Sequence, residues 1–144
     1  MEQRLSLVTL GVSDLGASRR FYERLGWTAS AASQGDIVFF QMNGFALALY
    51  PRDALAADAQ VENTASGFPG VTMAHNLGSE AEVDRVFAAM VEAGARPLKP
   101  PRKAFWGGYS SYVADPDGHL WEIAHDPFLP LDRAGDLRLP DSRK

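Results

Sequence analysis

Apolar and polar positions change period several times in the first fifty residues. Leu5 to Val12 (LSLVTLGV) is rich in apolar and β-prone residues and predicts a strand. Asp14 offers an N-cap, and behind it Leu15, Ser18, Phe21, Tyr22 and Leu25 recur at helical spacing until Gly26 stops the run. Trp27–Ser33 predicts a strand of modest strength and Asp36–Met42 a stronger one. Asn43-Gly44 is a short hairpin signal, returning through Phe45–Tyr50 until Pro51 ends the pairing. The predicted order is β-α-β-β-β.

The pattern then starts again. Residues 52–69 shift to Ala, Asp, Asn, Ser and Gly and read as a connector, with a helical turn at Asp53–Ala59. Gly70–Leu77 predicts a strand, and Ser79 with Glu82 forms a capping box. The helix Glu80–Ala93 carries Val83, Val86, Phe87 and Met90 on one stripe and is stopped by Gly94. A short strand at Arg96–Leu98 leads into a Pro/Lys/Arg loop, Lys99–Lys103. Then comes FWGGYSSYVADPDGHLWEIAHD (Phe105–Asp126), two strands joined by Asp115-Pro116-Asp117-Gly118. Val8-Thr9-Leu10 echoes Val71-Thr72-Met73, Leu25-Gly26 echoes Ala93-Gly94, and Asn43-Gly44-Phe45 echoes Asp117-Gly118-His119. Echoes in one order predict an internal duplication. The chain therefore divides into a first βαβββ module (1–51), a connector (52–69), a second module (70–127) and a tail (128–144), one structural domain overall. Leu129, Leu131, Leu137 and Leu139 are spaced along the tail so as to lie on a partner subunit or on the protein's own surface, with disorder expected for the last few residues.

Composition narrows the function. A chain of 144 residues with 46% apolar and 22% charged side chains has material for a core. Its net charge of −4 argues against nucleic acid. Without cysteine it has no disulfide, no thiolate metal site and no Cys nucleophile. No apolar run approaches a membrane span and Met1–Leu5 begins no signal-like segment, so the expectation is a cytoplasmic protein.

Glu122 is the residue that asks for chemistry. It lies in mid-strand between Trp121 and Ile123, where a charge is costly without a partner, a metal or water. Strand parity gives it companions. Counting back through the turn sets Ser111 near Glu122, with Tyr109 and Val113 on the same face. In the first module, Ala46, Ala48 and Tyr50 share a face with Ile37, Phe39 and Gln41, while Val38, Phe40, Phe45, Leu47 and Leu49 face a helix. Small alanines among aromatics and a few polar groups make the composition of a small-molecule pocket. The predicted ligand-binding set is Phe39, Ala48, Tyr50, Trp106, Tyr109, Ser111 and Glu122. Phe105-Trp106-Gly107-Gly108 is either a lid that stacks on a planar ligand or a plug for one end of the fold. A two-His-one-carboxylate iron site is the main metal possibility among His75, His119 and His125, but parity turns all three away from Glu122. Three readings of Glu122 stay open: a lone general base, an anchor for a cationic or hydrogen-bonding ligand, or a structural carboxylate paired with Arg102, Lys103 or a Tyr hydroxyl.

The opening LVTLGVSDLGASRRFYERLGW and the closing DPDGHLWEIAHDP together resemble the vicinal oxygen chelate superfamily, which includes glyoxalase I, extradiol dioxygenases and the bleomycin- and fosfomycin-resistance proteins. The resemblance covers roughly residues 5–127. It implies an α+β fold of two tandem β-α-β-β-β modules, their open, curled mixed sheet surrounding a cavity, and commonly a homodimer. Metal-dependent branches take one ligand from the first and last strand of each module. Those positions fall here at Leu7, Ala48, Gly70 (or Thr72 if the strand is bulged) and Glu122, so only Glu122 is a ligand-type side chain. The expected function is thus metal-independent small-molecule binding of the bleomycin-resistance type, with no cofactor. The rivals are a glyoxalase-like lyase, isomerase or dioxygenase using Glu122 as base or as ligand to Zn, Ni, Fe or Mn, and a structural module with a filled interior.

Overall fold

Residues 1, 3, 5–64 and 67–139 are described in a computed structural model. Contacts divide the chain into two compact units, Met1–Gly70 and Val71–Lys144.

In the first unit, β1 (Leu7–Val12) runs into α1 (Leu15–Arg24), whose start is fixed by Asp14 accepting the Ala17 N–H at 2.9 Å. Gly26 follows with φ +96°, the left-handed stop that glycine adopts without a Cβ penalty. The buried face of α1 is Ser18, Phe21 and Tyr22. Tyr22 stacks on Trp27 with ring centroids 5.0 Å apart, and Trp27 meets Phe40 edge-on at 5.5 Å. Strand β2 (Val38–Gln41) pairs antiparallel with β3 (Ala46–Pro51), and β1 lies parallel beside β3. Val38, Phe40, Leu47 and Leu49 are buried, as their parity requires. The strand expected at Trp27–Ser33 is reduced to a single bridge, Ala29 to Phe40. Its Ala/Ser-rich segment supplies side-chain hydroxyls that compete with a ladder: the Phe39 N–H donates to Ser33 Oγ at 2.9 Å. Helix α2 (Arg52–Asp58) follows β3 directly.

In the second unit, β4 is confined to Met73–Asn76, because Gly70 takes φ +81° and breaks the strand expected to begin there. Ser79 caps α3 (Glu80–Ala93) by accepting the Glu82 N–H at 3.2 Å, and Gly94 ends it at φ +118°. β5 (Arg96–Lys103), β6 (Tyr109–Ala114) and β7 (Leu120–His125) complete a sheet of order β4-β7-β6-β5. The segment expected as a loop at Lys99–Lys103 is part of β5. Three prolines are tolerated there because β5 is an edge strand, where a missing N–H breaks no interior ladder. Val83 and Met90 of α3 are buried, as are Val113, Trp121 and Ile123 on one face of the sheet. In both units the first strand lies parallel beside the last, and the last pairs antiparallel with the one before it. The fold is α+β, with three helices and two open mixed sheets of three and four strands among the described residues. In the tail, Asp132 accepts the Ala134 and Asp136 N–H groups and closes a turn bridged by Leu131 and Leu137. The expectation of disorder at the very end concerns residues 140–144, outside the described residues.

Candidate functional site

The β6–β7 turn fixes what Glu122 can meet. Asp115 is 3% exposed, and its Oδ1 accepts the backbone N–H groups of Asp117 and His119, each at 2.9 Å. Its Oδ2 lies 2.9 Å from His119 Nδ1. The Asp115 N–H donates to the His119 carbonyl and Gly118 sits at φ +87°, so Asp115 and His119 close the hairpin with three residues between them. From that closure the register runs Ala114–Leu120, Tyr112–Glu122, Ser110–Ala124.

Glu122 therefore stands opposite Tyr112 on β6 and opposite Ala74 on β4. Ser110, its diagonal neighbour, is 2% exposed and donates its hydroxyl to Glu122 Oε2 at 2.8 Å. This bond lowers the cost of a carboxylate in mid-strand. Burial first, then the charge of Glu122 and a hydrogen bond to it, push the Tyr112 phenol above its ordinary value. Ala74, Ala114 and Ala124 complete the same face. The result is a half-buried carboxylate with a hydroxyl and a phenol beside it, on a floor of alanines.

Two expected members of the set lie elsewhere. Tyr109 and Ser111 are on the opposite face, with Val113, Trp121 and Ile123. The Tyr109 hydroxyl donates to Asp84 of α3 at 2.7 Å, and the Ser111 hydroxyl to the Ile123 carbonyl at 2.8 Å. A turn counted one residue short moves every side chain to the other face, and the left-handed Gly118 is the uncounted residue. Ser110 and Tyr112, the actual neighbours, were legible had Gly118 been counted as a third loop residue. In the first unit the expectation of a shared face holds: Phe39 stands opposite Ala48, Gln41 opposite Ala46, and Gly11 opposite Tyr50. Trp106 lies in the β5–β6 connection with its indole against Gly108, where a Cβ would collide with the ring. Phe105 beside it is fully exposed.

The histidines stay apart. His75 and His125 lie on the α3 face, His125 Nδ1 2.9 Å from the Leu77 carbonyl, and His119 is engaged by Asp115. Among the described residues, no three His, Asp or Glu side chains gather as a metal would need. Register also corrects one position: Thr9 pairs with Ala48 as Ala74 pairs with Glu122, so the counterpart of Leu7 is Thr72 rather than Gly70. Leu7, Ala48 and Thr72 offer no carboxylate or imidazole, and the four positions do not fit a divalent metal. A surface cleft of about 380 Å³ is lined by Gly94, Arg96 and Asp115–Gly118. It sits at the turn, and Ser110, Tyr112 and Glu122 do not line it.

Comparison with known proteins agrees with this geometry. The family model described as the Glyoxalase/Bleomycin resistance protein/Dioxygenase superfamily matches residues 4–123. The chain is similar to a solved structure of a glyoxalase-related enzyme from Fulvimarina pelagi, at 39% identity and TM-score 0.87, covering 97% of this chain and 100% of that one. It is similar to a glyoxalase/bleomycin resistance protein/dioxygenase from Nocardioides at 26% identity and TM-score 0.71, over 87% of this chain and 84% of that one. It shares its fold with a lactoylglutathione lyase from Agrobacterium tumefaciens, at 19% identity and TM-score 0.63, over 86% and 94% of the two chains. No curated protein matches it.

Proposed function

The chain belongs to the glyoxalase/bleomycin resistance protein/dioxygenase superfamily, and within it we propose a protein that binds a small molecule without a metal, Glu122 serving as the anchor. One observation carries this reading. Of the four positions from which metal-dependent relatives would take ligands, only Glu122 keeps a charged side chain, and its near neighbours are a hydroxyl and a phenol rather than further ligands. A carboxylate has about four lone-pair directions. Ser110 takes one of them on Oε2 and the Tyr112 phenol another, which leaves capacity for a ligand N–H or O–H. Tyr112, held protonated beyond the usual range, offers an apolar ring face beside the carboxylate. Ala74, Ala114 and Ala124 contribute only methyl groups to that face. A cytoplasmic homodimer is part of the same proposal; sedimentation velocity at micromolar concentration checks the dimer. No helix among the described residues is long and apolar enough to cross a membrane.

Ligand-observed NMR with a fragment library, in the presence of EDTA, tests the binding site. The expected result is a set of fragments that bind the wild type and lose about tenfold or more in affinity on Glu122→Gln, the scale of a buried charge-assisted hydrogen bond. Equal binding to both proteins would reject Glu122 as the anchor.

A second reading draws on the 39% identical structure, which is described as an enzyme. In it, Glu122 acts as general base and Tyr112 as proton donor in a lyase or isomerase reaction. If a substrate is found, that reading requires Glu122→Gln to abolish turnover while substrate still binds.

A further inference from the structure

Resting on the binding role proposed for Glu122, we infer that the ligand is a small anion, most simply a planar carboxylate carrying a second hydrogen-bond donor. Strand β5 points to this class. It reads Arg-Pro-Leu-Lys-Pro-Pro-Arg-Lys, four cations with no acidic residue. Strict alternation would set Arg96 and Arg102 on one face and Lys99 on the other. The observed pairing is different: Arg96 stands opposite Ala114, Lys99 opposite Tyr112 and Arg102 opposite Ser110, with register shifts between Pro97 and Lys99 and between Lys99 and Arg102. Directly opposed residues share a face of the sheet. The two irregularities therefore turn three cations to the face that holds Ser110, Tyr112 and Glu122. Bulges that re-aim side chains in this way are concentrated at edge strands and beside functional sites.

Lys103 supplies an internal control. It pairs with Tyr109, which places it on the α3 face, and there it forms an ion pair with Glu80 at 2.5 Å. The cation sent to the helix face is neutralised by a helix carboxylate. Among the described residues, no carboxylate forms an ion pair with Arg96, Lys99 or Arg102. Lys99 is half-buried, its ammonium 5.9 Å from the centre of the Tyr112 ring. The face thus carries three unpaired cations and one carboxylate, on a chain whose net charge is −4. An anion held by Lys99 and Arg102, with its ring over Tyr112 and a donor group toward Glu122, engages two of the three cations and the carboxylate. A cationic ligand satisfies only Glu122.

The test uses one ring with three end groups: 4-hydroxybenzoate, 4-hydroxybenzamide and 4-hydroxybenzylamine. Affinities are read from backbone amide shifts of the intact chain at low salt, where screening is weak. The carboxylate is expected to bind about tenfold more tightly than the amide, with the amine weakest. In a Lys99→Gln/Arg102→Gln double variant that preference should fall to about twofold or less. Lys103→Gln, removing a neighbouring charge from the other face, should leave the preference intact. An amide or amine that binds as well as the carboxylate would overturn the anionic class while leaving the Glu122 site standing. Equal loss of preference in Lys103→Gln would show net charge at work rather than this face, and would also overturn it. If none of the three probes shifts the Glu122 face in the wild type, the site itself is rejected and the inference goes with it.

Discussion

The two units are wired alike and differ most where their last strands cross the middle of the sheet. In the first, Ala48 is fully buried between Thr9 and Phe39. In the second, the same place is taken by Glu122 between Ala74 and Tyr112, with Ser110 donating to it. One scaffold thus carries an apolar face and a polar one. What separates them is small: a phenol in place of a phenyl ring and a serine within reach of a carboxylate. The polarity of the second face is built by neighbours, and a charge grafted into the first would find none of them.

That contrast is broken most severely by moving the charge. Ala48→Glu places a carboxylate in a fully buried position between Thr9 and Phe39, without the serine and phenol that flank Glu122. We expect a loss of about 3–5 kcal/mol, the cost of an uncompensated buried charge, measured by urea denaturation. A cost below about 1 kcal/mol would mean that the first face is as wet as the second.

The next largest effect should come from Asp115, whose side chain sets the second hairpin. Asp115→Ala strands two backbone N–H groups and the His119 ring, and should cost about 2–3 kcal/mol. Glu122 and Tyr112 should then lose their fixed pairing, visible as broadened amide signals along β6 and β7. A change in stability with unaltered cross-strand contacts would show that the turn does not hold the register.

The two hairpins should be equal in backbone cost. Gly44 and Gly118 both take φ +87° with open space around them. Alanine at either should cost about 1–2 kcal/mol from the left-handed backbone alone. A much larger loss at Gly118 would place the site's sensitivity in the glycine rather than in Asp115.

These hairpins also show what was readable in the chain. The wiring, the caps at Asp14 and Ser79, and the glycine stops at Gly26 and Gly94 follow from local chemistry that operates within a few residues. So did the face of the first sheet, because Met42 and Phe45 close directly around Asn43-Gly44 and the count is unambiguous. Alternation carried through the second turn places that face one residue off. Asp115–Gly118 looks like a four-residue turn, and its closing partner is His119, a choice made by the Asp115 carboxylate from a distance that periodicity does not see. Strand β5 was hidden for a similar reason. Its prolines read as a loop in isolation, and only a neighbour on one side with none on the other makes them acceptable. The cations brought round by its two shifts lay outside any argument from alternation.

The smallest expected effect compares the two faces of one strand. Tyr109 and Tyr112 both titrate above 10.0, for different reasons: Tyr109 chiefly through its hydrogen bond to Asp84, Tyr112 chiefly through burial and then Glu122. A phenol raised on folding contributes stability that is complete below 10.0 and lost as pH rises through its folded value. Tyrosinate absorbance, with Tyr112→Phe to assign the signal, should show the Tyr112 transition moving down toward 10.0 in Glu122→Gln and the Tyr109 transition unmoved. A Tyr112 transition unchanged by Glu122→Gln would remove the carboxylate from its surroundings.

The central claim is that Glu122 works without a metal, in a chain whose other three ligand positions are Leu7, Ala48 and Thr72. Calorimetric titration of the EDTA-treated, dialysed protein with Zn²⁺, Ni²⁺ and Fe²⁺ tests it most directly. The account predicts no stoichiometric uptake at micromolar affinity and no change on Glu122→Gln. One metal bound per chain at that affinity, and lost in Glu122→Gln, would contradict it.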